Sequence, residues 1–207
     1  MPVKRQMPYN YGIYFITYTC YHWLSLIQLT KSYDLVYKSF DHLKNQGHYI
    51  SGYVLMPNHI HFLAAFHNNG KNLNKLIGEG KRFMAYEIVG RLKADFNKKI
   101  LFLLSNAVSS SRKQKGKLHA VWEDSFDWKM CDTFEIIEQK LDYMHNNPCR
   151  GKWELAESPV DYIHSSAKYY ITGEQGIYAI TNYMDLEDID LTKPNGYSLS
   201  DESRITE

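Results

Sequence analysis

Alternation between apolar and polar positions predicts three strands in the first third of the chain. Residues 11–21 alternate in polarity and are rich in aromatic and β-branched side chains, as strands are, and residues 48–56 are predicted to form a second strand. Pro57 and Asn58 supply turn chemistry, after which residues 59–66 form a third strand that returns beside the second. The second and third strands are therefore predicted to be antiparallel neighbours.

Three other segments place their apolar residues at the spacing of an α-helix, which predicts amphipathic helices. The last of them can be capped by Asp132 or Thr133 and is ended by Asn147 and Pro148. The predicted buried stripes are Tyr33, Val36, Phe40 and Leu43 in the first helix, Leu73, Leu76, Ile77, Phe83, Met84 and Ile88 in the second, and Phe134, Ile137, Leu141 and Met144 in the third.

The remaining segments have weaker patterns. Residues 96–119 are polar and interrupted by turn-forming residues, which predicts a long loop. Residues 120–130 are predicted to form a strand or an irregular hairpin. The resulting order, strand–helix–strand–strand–helix–strand, is the ferredoxin-like split βαβ pattern of an α+β fold, with an extra C-terminal helix. It predicts one central antiparallel sheet with helices on one face and the other face free to carry a site.

Charge is distributed unevenly along the chain, although the formal net charge is only +1. From Asp185 onward seven acidic side chains stand against two basic ones, so residues 1–184 carry 22 basic and 16 acidic side chains. We expect one domain over residues 1–184 and an acidic, poorly packed tail over residues 185–207. The basic excess is mild support for a polyanionic partner, since a solvated face also explains such clusters.

The composition excludes several classes of protein. Hydrophobic residues make up 44% of the 207 positions and charged residues 23%, as in an ordinary globular domain. No run approaches the about 18 apolar residues of a membrane span, and the N-terminus lacks the apolar core of a signal peptide. Cys20, Cys131 and Cys149 are widely spaced, which predicts reduced thiols in a cytoplasmic protein and no cysteine-built zinc site.

The stretch "YVLMPNHIHF", residues 53–62, places two histidines in an otherwise apolar strand. Alternate residues of a strand project from the same face about 6.6–7 Å apart, so His59 and His61 point the same way while Ile60 and Phe62 turn to the core. Two imidazoles at that spacing can converge on one divalent metal ion. The alternative is a pair of surface histidines on a solvated face of the sheet.

A second constellation is "LDYMHNNP", residues 141–148. On a helix Tyr143 and Asn147 are four positions apart and share one face. Tyr143 lies about 100° round the helix from Met144, so it can project from the edge of the helix. The alternative is that Tyr143 packs on the flank of the helix with Ile136 and Lys140.

Together these motifs resemble those of the HUH single-tyrosine transposases, specifically the REP-associated branch. The resemblance rests on "YVLMPNHIHFL", followed some eighty residues later by "YMHNNP" and "SSAKYY", and it covers roughly residues 9–170. The motif "VLMPNHIH" is fairly specific, whereas "HIH" alone is weak. The segments "IYFITYTCYHW" and "GKRFMAYEI" fit the same layout.

The resemblance implies a metal-dependent endonuclease and strand transferase that acts on single-stranded DNA next to hairpins. It implies that His59, His61 and Asn147 hold Mg²⁺ or Mn²⁺, and that Tyr143 is the nucleophile that forms a 5′-phosphotyrosine intermediate. Many members of the broader family have glutamine four residues past the tyrosine, whereas the REP-associated branch commonly has asparagine. Asparagine has a shorter reach than glutamine, so a metal held by Asn147 must lie closer to the helix.

DNA recognition is expected to use basic and aromatic side chains. The 17 tyrosines and four tryptophans offer stacking surfaces for unpaired bases, although most of them belong to the core of a domain this size. The branch resembled here favours a monomer over a homodimer. The basic residues predicted to contact phosphates are Lys71, Lys75, Lys81, Arg82, Arg112, Lys113, Lys115 and Lys117.

Three alternative functions make different demands on the sequence. A histidine-triad hydrolase needs a third alternating histidine, but position 63 is leucine and His67 is too far along the strand. A two-histidine, one-carboxylate iron oxygenase needs an acidic residue, and none lies near the pair. A domesticated protein that binds DNA hairpins without cleaving them stays open as the stronger alternative.

Overall fold

A four-stranded antiparallel sheet is the centre of the computed structural model, which describes residues 6–151 and 153–196. Its spatial order is β2-β3-β1-β4, and each neighbouring pair is antiparallel. This is the strand order of the split βαβ pattern, so the predicted α+β fold class is confirmed. The strands are β1 (Gly12–Thr19), β2 (Tyr49–Leu55), β3 (His59–Phe66) and β4 (Asp127–Met130).

Helices connect and cover these strands. The three predicted helices are present, and the Thr133 side chain caps the last of them by accepting a hydrogen bond from the backbone N–H of Ile136. The helices are α1 (Leu26–Leu29), α2 (Tyr33–Lys44), α3 (Leu73–Ala94), α4 (Lys98–Asn106), α5 (Ser110–Lys113), α6 (Phe134–Asn146) and α7 (Ala167–Thr172).

One face of the sheet forms the larger hydrophobic core. Alternate residues of β3, among them Ile60 and Phe62, project to this face and pack with Phe40 of α2 and with Met84 and Ile88 of α3. Most residues of the apolar stripes predicted for α2 and α3 therefore lie on the helix faces that pack against the sheet. Phe83 is an exception, because it belongs to the predicted stripe but its side chain is exposed.

The sequence pattern predicted that the second face of the sheet would be free. Instead, α6 packs across it. Leu63 of β3 and Phe15 of β1 meet Ile137, Leu141 and Met144 of α6 in a second hydrophobic cluster. Every residue of β3 is consequently buried. Strands buried on both faces lose the alternation that distinguishes a half-exposed strand, so the pattern of β3 could not show which elements cover it.

The segment predicted as a long loop contains two short helices. The Asn97 side chain caps α4 by accepting a hydrogen bond from the N–H of Ile100, and Leu104 anchors α4 in the core. The prediction of a loop overlooked the five consecutive apolar residues 100–104, of which Ile100 and Leu101 also pack against the core. Within the predicted strand or hairpin at residues 120–130, only β4 is regular, and Trp122 forms an isolated bridge with Cys20.

Residues 185–196, assigned from their acidity to a poorly packed tail, lie against the domain. Leu186 is buried, the backbone N–H of Asn68 donates to the carbonyl of Leu191, and the His67 ring is hydrogen-bonded to the carbonyl of Lys193. Charge content does not reveal such backbone contacts. The rest of the predicted tail, residues 197–207, lies outside the described residues. In the part of the chain described, no helix is long and apolar enough to cross a membrane.

Gly52 lets α6 approach the sheet, which leads to a stability prediction. A Cβ atom at Gly52 would lie 2.6 Å from Leu141 Cδ2 and 3.0 Å from Met144 Cε. We expect Gly52→Ala to lower the free energy of unfolding by about 1–3 kcal/mol through overpacking, as measured by urea denaturation. In Gly90→Ala, where the added Cβ on α3 meets no atom within 4 Å, we expect a gain of about 0.5–1 kcal/mol instead. Equal effects of the two substitutions would contradict this account.

Buried histidines predict loss of stability in acid. Burial, with nearby His67 and Lys71, lowers the pKa of His48 to about 4, below the value of about 6.5 for an exposed histidine. The unfolded chain therefore binds more protons between these values, so the contribution of His48 is complete above about pH 6.5 and is lost as the pH falls toward 4. Urea denaturation at several pH values should show a shallower decline for His48→Gln than for the wild-type protein. The exposed control His42→Gln should match the wild type.

Candidate active site

The two histidines lie together at the start of β3. His59 pairs with Thr19 and His61 with Thr17 across β1, so both rings project to the face covered by α6. Their ring centroids are 4.8 Å apart, with the ring planes at 72°. The residues are only 4% and 5% exposed, which excludes the alternative of surface histidines on a solvated face.

Hydrogen bonds fix the tautomer of His59. The Asn58 amide nitrogen donates to the Trp23 carbonyl at 2.9 Å, so the Asn58 Oδ1 atom is the acceptor that faces His59 Nδ1 at 2.7 Å. His59 therefore carries its proton on Nδ1, and the lone pair on Nε2 points into the site. The nitrogen that meets this lone pair is Asn147 Nδ2, at 3.2 Å.

His61 has one oriented and one unpartnered nitrogen. Its Nδ1 is hydrogen-bonded to Thr17 Oγ1 at 2.8 Å, whereas its Nε2 is buried without a hydrogen-bond partner among the described residues. Burial, with additional effects from His59 and Lys140, lowers the pKa of His61 to about 3. The ring is thus neutral at neutral pH, as a metal ligand must be.

Helix α6 brings Tyr143 and Asn147 to the histidines. The helix buries Ile137, Leu141 and Met144 on the sheet, so Tyr143 projects from its edge and is 50% exposed. The Tyr143 ring lies 5.4 Å from the His61 ring, centroid to centroid. The structure thus brings together the four predicted residues His59, His61, Tyr143 and Asn147.

The site also contains residues that sequence reasoning did not assign to it. Lys140, one turn before Tyr143, holds its Nζ 5.4 Å from the centroid of Phe15 and 6.0 Å from that of Tyr143. The rings of Trp23 and Trp153 lie 5.6 Å and 6.0 Å from His59. The i, i+3 spacing of Lys140 and Tyr143 was a usable signal, whereas no local pattern places either tryptophan here.

These donors fit a divalent metal ion. The Nε2 atoms of His59 and His61 present two imidazole nitrogens, and a rotated Asn147 amide would add an oxygen. Asn58 and Thr17 orient the rings from behind, as outer partners of metal ligands do. Among residues 6–151 and 153–196, no three His, Cys, Asp or Glu side chains form a cluster suited to a metal. The candidate third protein donor is the Asn147 amide oxygen.

The lysines and arginines predicted to contact DNA differ in their exposure and in their partners within the protein. Lys81 is buried, and its Nζ donates to the carbonyls of Glu123 at 3.2 Å and Ser125 at 3.0 Å. Burial, with Lys117 nearby, lowers its pKa to about 8. Lys81 thus holds residues 123–125 in place, and its ammonium donates to these carbonyls instead of to a DNA phosphate. Arg112 forms an ion pair with Asp124. The members with exposed side chains are Lys71, Lys75, Arg82, Lys113 and Lys115.

A cleft of about 730 Å³ lies between α3 and residues 115–126. It is lined by Arg82, Lys115 and Lys117 and by the exposed ring of Tyr86. Because α3 packs on the face opposite α6, this cleft is separate from the histidines and Tyr143. Its basic and aromatic lining nevertheless suits a nucleic-acid backbone.

Comparison with known proteins adds a structural likeness. No protein-family model and no curated protein sequence matches the chain. A solved structure described as a REP-associated tyrosine transposase bound to a REP hairpin superposes with a TM-score of 0.59 at 14% sequence identity. The match covers 93% of this chain and 98% of that one. At this identity the likeness establishes a shared fold over nearly the full length of both proteins.

Proposed function

We propose that this protein is a metal-dependent single-stranded DNA endonuclease and strand transferase that cuts next to DNA hairpins. The observation that carries the proposal is the half-exposed Tyr143, 5.4 Å from the ring of His61, beside a histidine pair with inward-facing nitrogens. The fold shared with a transposase whose structure contains a REP hairpin supports the same substrate class.

The residues divide the chemistry between them. A phenol is a weak nucleophile at neutral pH, so it requires a phosphate whose position and charge are controlled. When bound by His59, His61 and Asn147, a divalent cation would neutralise that phosphate and stabilise the departing oxygen. The two imidazole donors favour Mn²⁺ over Mg²⁺, which prefers oxygen ligands.

Tyr143 then attacks the phosphorus of the scissile phosphodiester. Its hydroxyl gives up a proton, the phosphorus–O3′ bond breaks, and the released oxygen takes up a proton as a 3′-hydroxyl. The DNA 5′ phosphate is left esterified to Tyr143, and attack by a 3′-hydroxyl reverses the step. Because one ester replaces another, rejoining requires no nucleotide cofactor. The half-exposure of Tyr143 allows a polymer to reach the hydroxyl without opening the fold.

Lys140 is a candidate partner for the phosphate. Its ammonium lies 5.4 Å from the ring centroid of Phe15 and 6.0 Å from that of Tyr143. A cation there would attract the negatively charged strand toward the hydroxyl. The exposed lysines and arginines around the cleft would hold the DNA backbone farther away.

One observation favours a second candidate function, the binding of DNA hairpins without cleavage. The solved structure with the same fold holds a REP hairpin. A protein that only binds such hairpins would leave them intact.

The two candidates are separated by incubating the protein with end-labelled hairpin oligonucleotides that carry single-stranded flanks, in Mg²⁺ or Mn²⁺. Strand transfer through Tyr143 gives a labelled protein–DNA adduct that survives denaturing electrophoresis. Binding alone gives a shifted complex under native conditions and no adduct. Failure to bind any hairpin would contradict both functions.

A further inference from the structure

Two tryptophans flank His59, and one of them is displayed to solvent. The Trp23 ring centroid lies 5.6 Å from that of His59, with the planes at 73°, and the Trp153 centroid lies 6.0 Å away. Trp23 is 58% exposed. Since more than half of its surface is not buried, core packing does not account for a side chain of this size.

The backbone that carries Trp23 is in an unfavourable conformation. His22 and Trp23 have φ angles of 49° and 57°, in the left-handed region that residues with a Cβ rarely adopt. Two adjacent bulky residues there persist only when the surroundings hold them, and such strain is concentrated at functional sites.

Specific hydrogen bonds hold this turn against the histidine pair. The backbone N–H of His22 donates to Glu123 Oε1 at 2.8 Å, and that of Trp23 donates to the Cys20 carbonyl at 3.0 Å. The Asn58 amide donates to the Trp23 carbonyl and accepts from the His59 ring. One buried side chain thus sets the positions of the exposed indole and of a candidate metal ligand.

We propose that Trp23 is a stacking platform for the unpaired nucleobase adjoining the phosphate that Tyr143 attacks. The inference rests on the proposed function and names the part of the DNA recognised at that site. An indole offers a flat apolar face and no hydrogen-bond acceptor, so it would accept any base and fix the position of the strand rather than its sequence. The continuity of the rings of Trp23, His59, His61 and Tyr143 places that base next to the reacting groups.

The test uses a hairpin oligonucleotide that the wild-type protein selects from a pool with random stems and flanks. Binding is measured by fluorescence anisotropy in EDTA, so that cleavage does not compete. We expect Trp23→Gly, which suits the left-handed backbone, to weaken binding of the flanked hairpin about tenfold, and Trp23→Phe to restore most of the affinity. The matched control is Phe96→Ala, because Phe96 is also aromatic, 82% exposed and left-handed, with φ 53°, but lies on the turn between α3 and α4.

An abasic nucleotide in the flank identifies the contact. Moved along the flank, it should weaken wild-type binding about tenfold at one position beside the cleavage site and have little effect on Trp23→Gly at that position. Binding of the hairpin without flanks should be unchanged in Trp23→Gly, and the melting temperature should not fall, since glycine relieves the strain.

The outcomes separate the two proposals. If the wild-type protein selects no hairpin, the proposed function fails. If it selects one and Trp23→Gly binds the flanked hairpin equally well, only the role of Trp23 fails. A loss that is equal with and without flanks, or that accompanies a lower melting temperature, would assign Trp23 a structural role and overturn the inference.

Discussion

Replacement of Tyr143 by phenylalanine is expected to abolish the covalent protein–DNA adduct. The substitution removes only the hydroxyl, so the ring contacts with His61 and Phe15 can persist while the nucleophile is lost. Removing an attacking group lowers the rate by at least about 10³-fold. The measurement is the rate of adduct formation on a labelled hairpin with single-stranded flanks, in Mn²⁺, together with the affinity for the same DNA.

Tyr9 provides a matched control for this substitution. It is 50% exposed, as Tyr143 is, and lies before β1 rather than on α6. Tyr9→Phe should form adduct at the wild-type rate, and Tyr143→Phe should bind the hairpin with nearly wild-type affinity. An adduct that persists in Tyr143→Phe would show that another residue is the nucleophile, whereas a loss of binding would show that the hydroxyl acts in recognition.

Replacement of His61 by alanine is expected to remove both metal binding and cleavage. The His61 ring is neutral, and its Nε2 is buried without a hydrogen-bond partner among the described residues, so no hydrogen bond within the fold accounts for that nitrogen. Loss of an outer partner of a metal ligand typically costs 10–100-fold in affinity, so loss of a ligand should weaken Mn²⁺ binding by at least about 100-fold. Calorimetric titration with Mn²⁺ measures this directly, and the adduct rate should fall in parallel.

His48→Ala controls for the removal of a buried histidine. His48 is as buried as His61 but packs against Phe66, away from the pair. It should lower stability and leave Mn²⁺ affinity unchanged. If His61→Ala bound Mn²⁺ as tightly as the wild type, the histidine pair would not be the metal site, even if cleavage were lost.

Local patterns were sufficient to predict much of the fold and the centre of the site. The strand-like run that follows the turn residues Pro57 and Asn58 predicted β3 with the bounds observed, His59–Phe66. The spacing of Ile137, Leu141 and Met144, with the Thr133 cap, predicted α6. The side chains that share a face follow from the periods of strands and helices, so the pairings of His59 with His61 and of Tyr143 with Asn147 could be foreseen.

Features that depend on contacts distant in sequence could not be predicted in this way. Phe134 matches the period of α6, yet its side chain is 46% exposed beside the ring of Tyr183. Lys81 reads as a surface cation, yet its ammonium satisfies two carbonyls that lie more than forty residues away. The left-handed turn at Trp23 contains no glycine or asparagine that would have indicated it.

The packing of α6 on the strands that carry the histidines has a consequence for the proposed reaction centre. The phenol and the imidazoles are held together by the cluster of Phe15, Leu63 and Leu141. Loss of this packing would separate the phenol from the imidazoles even if the strands stayed paired.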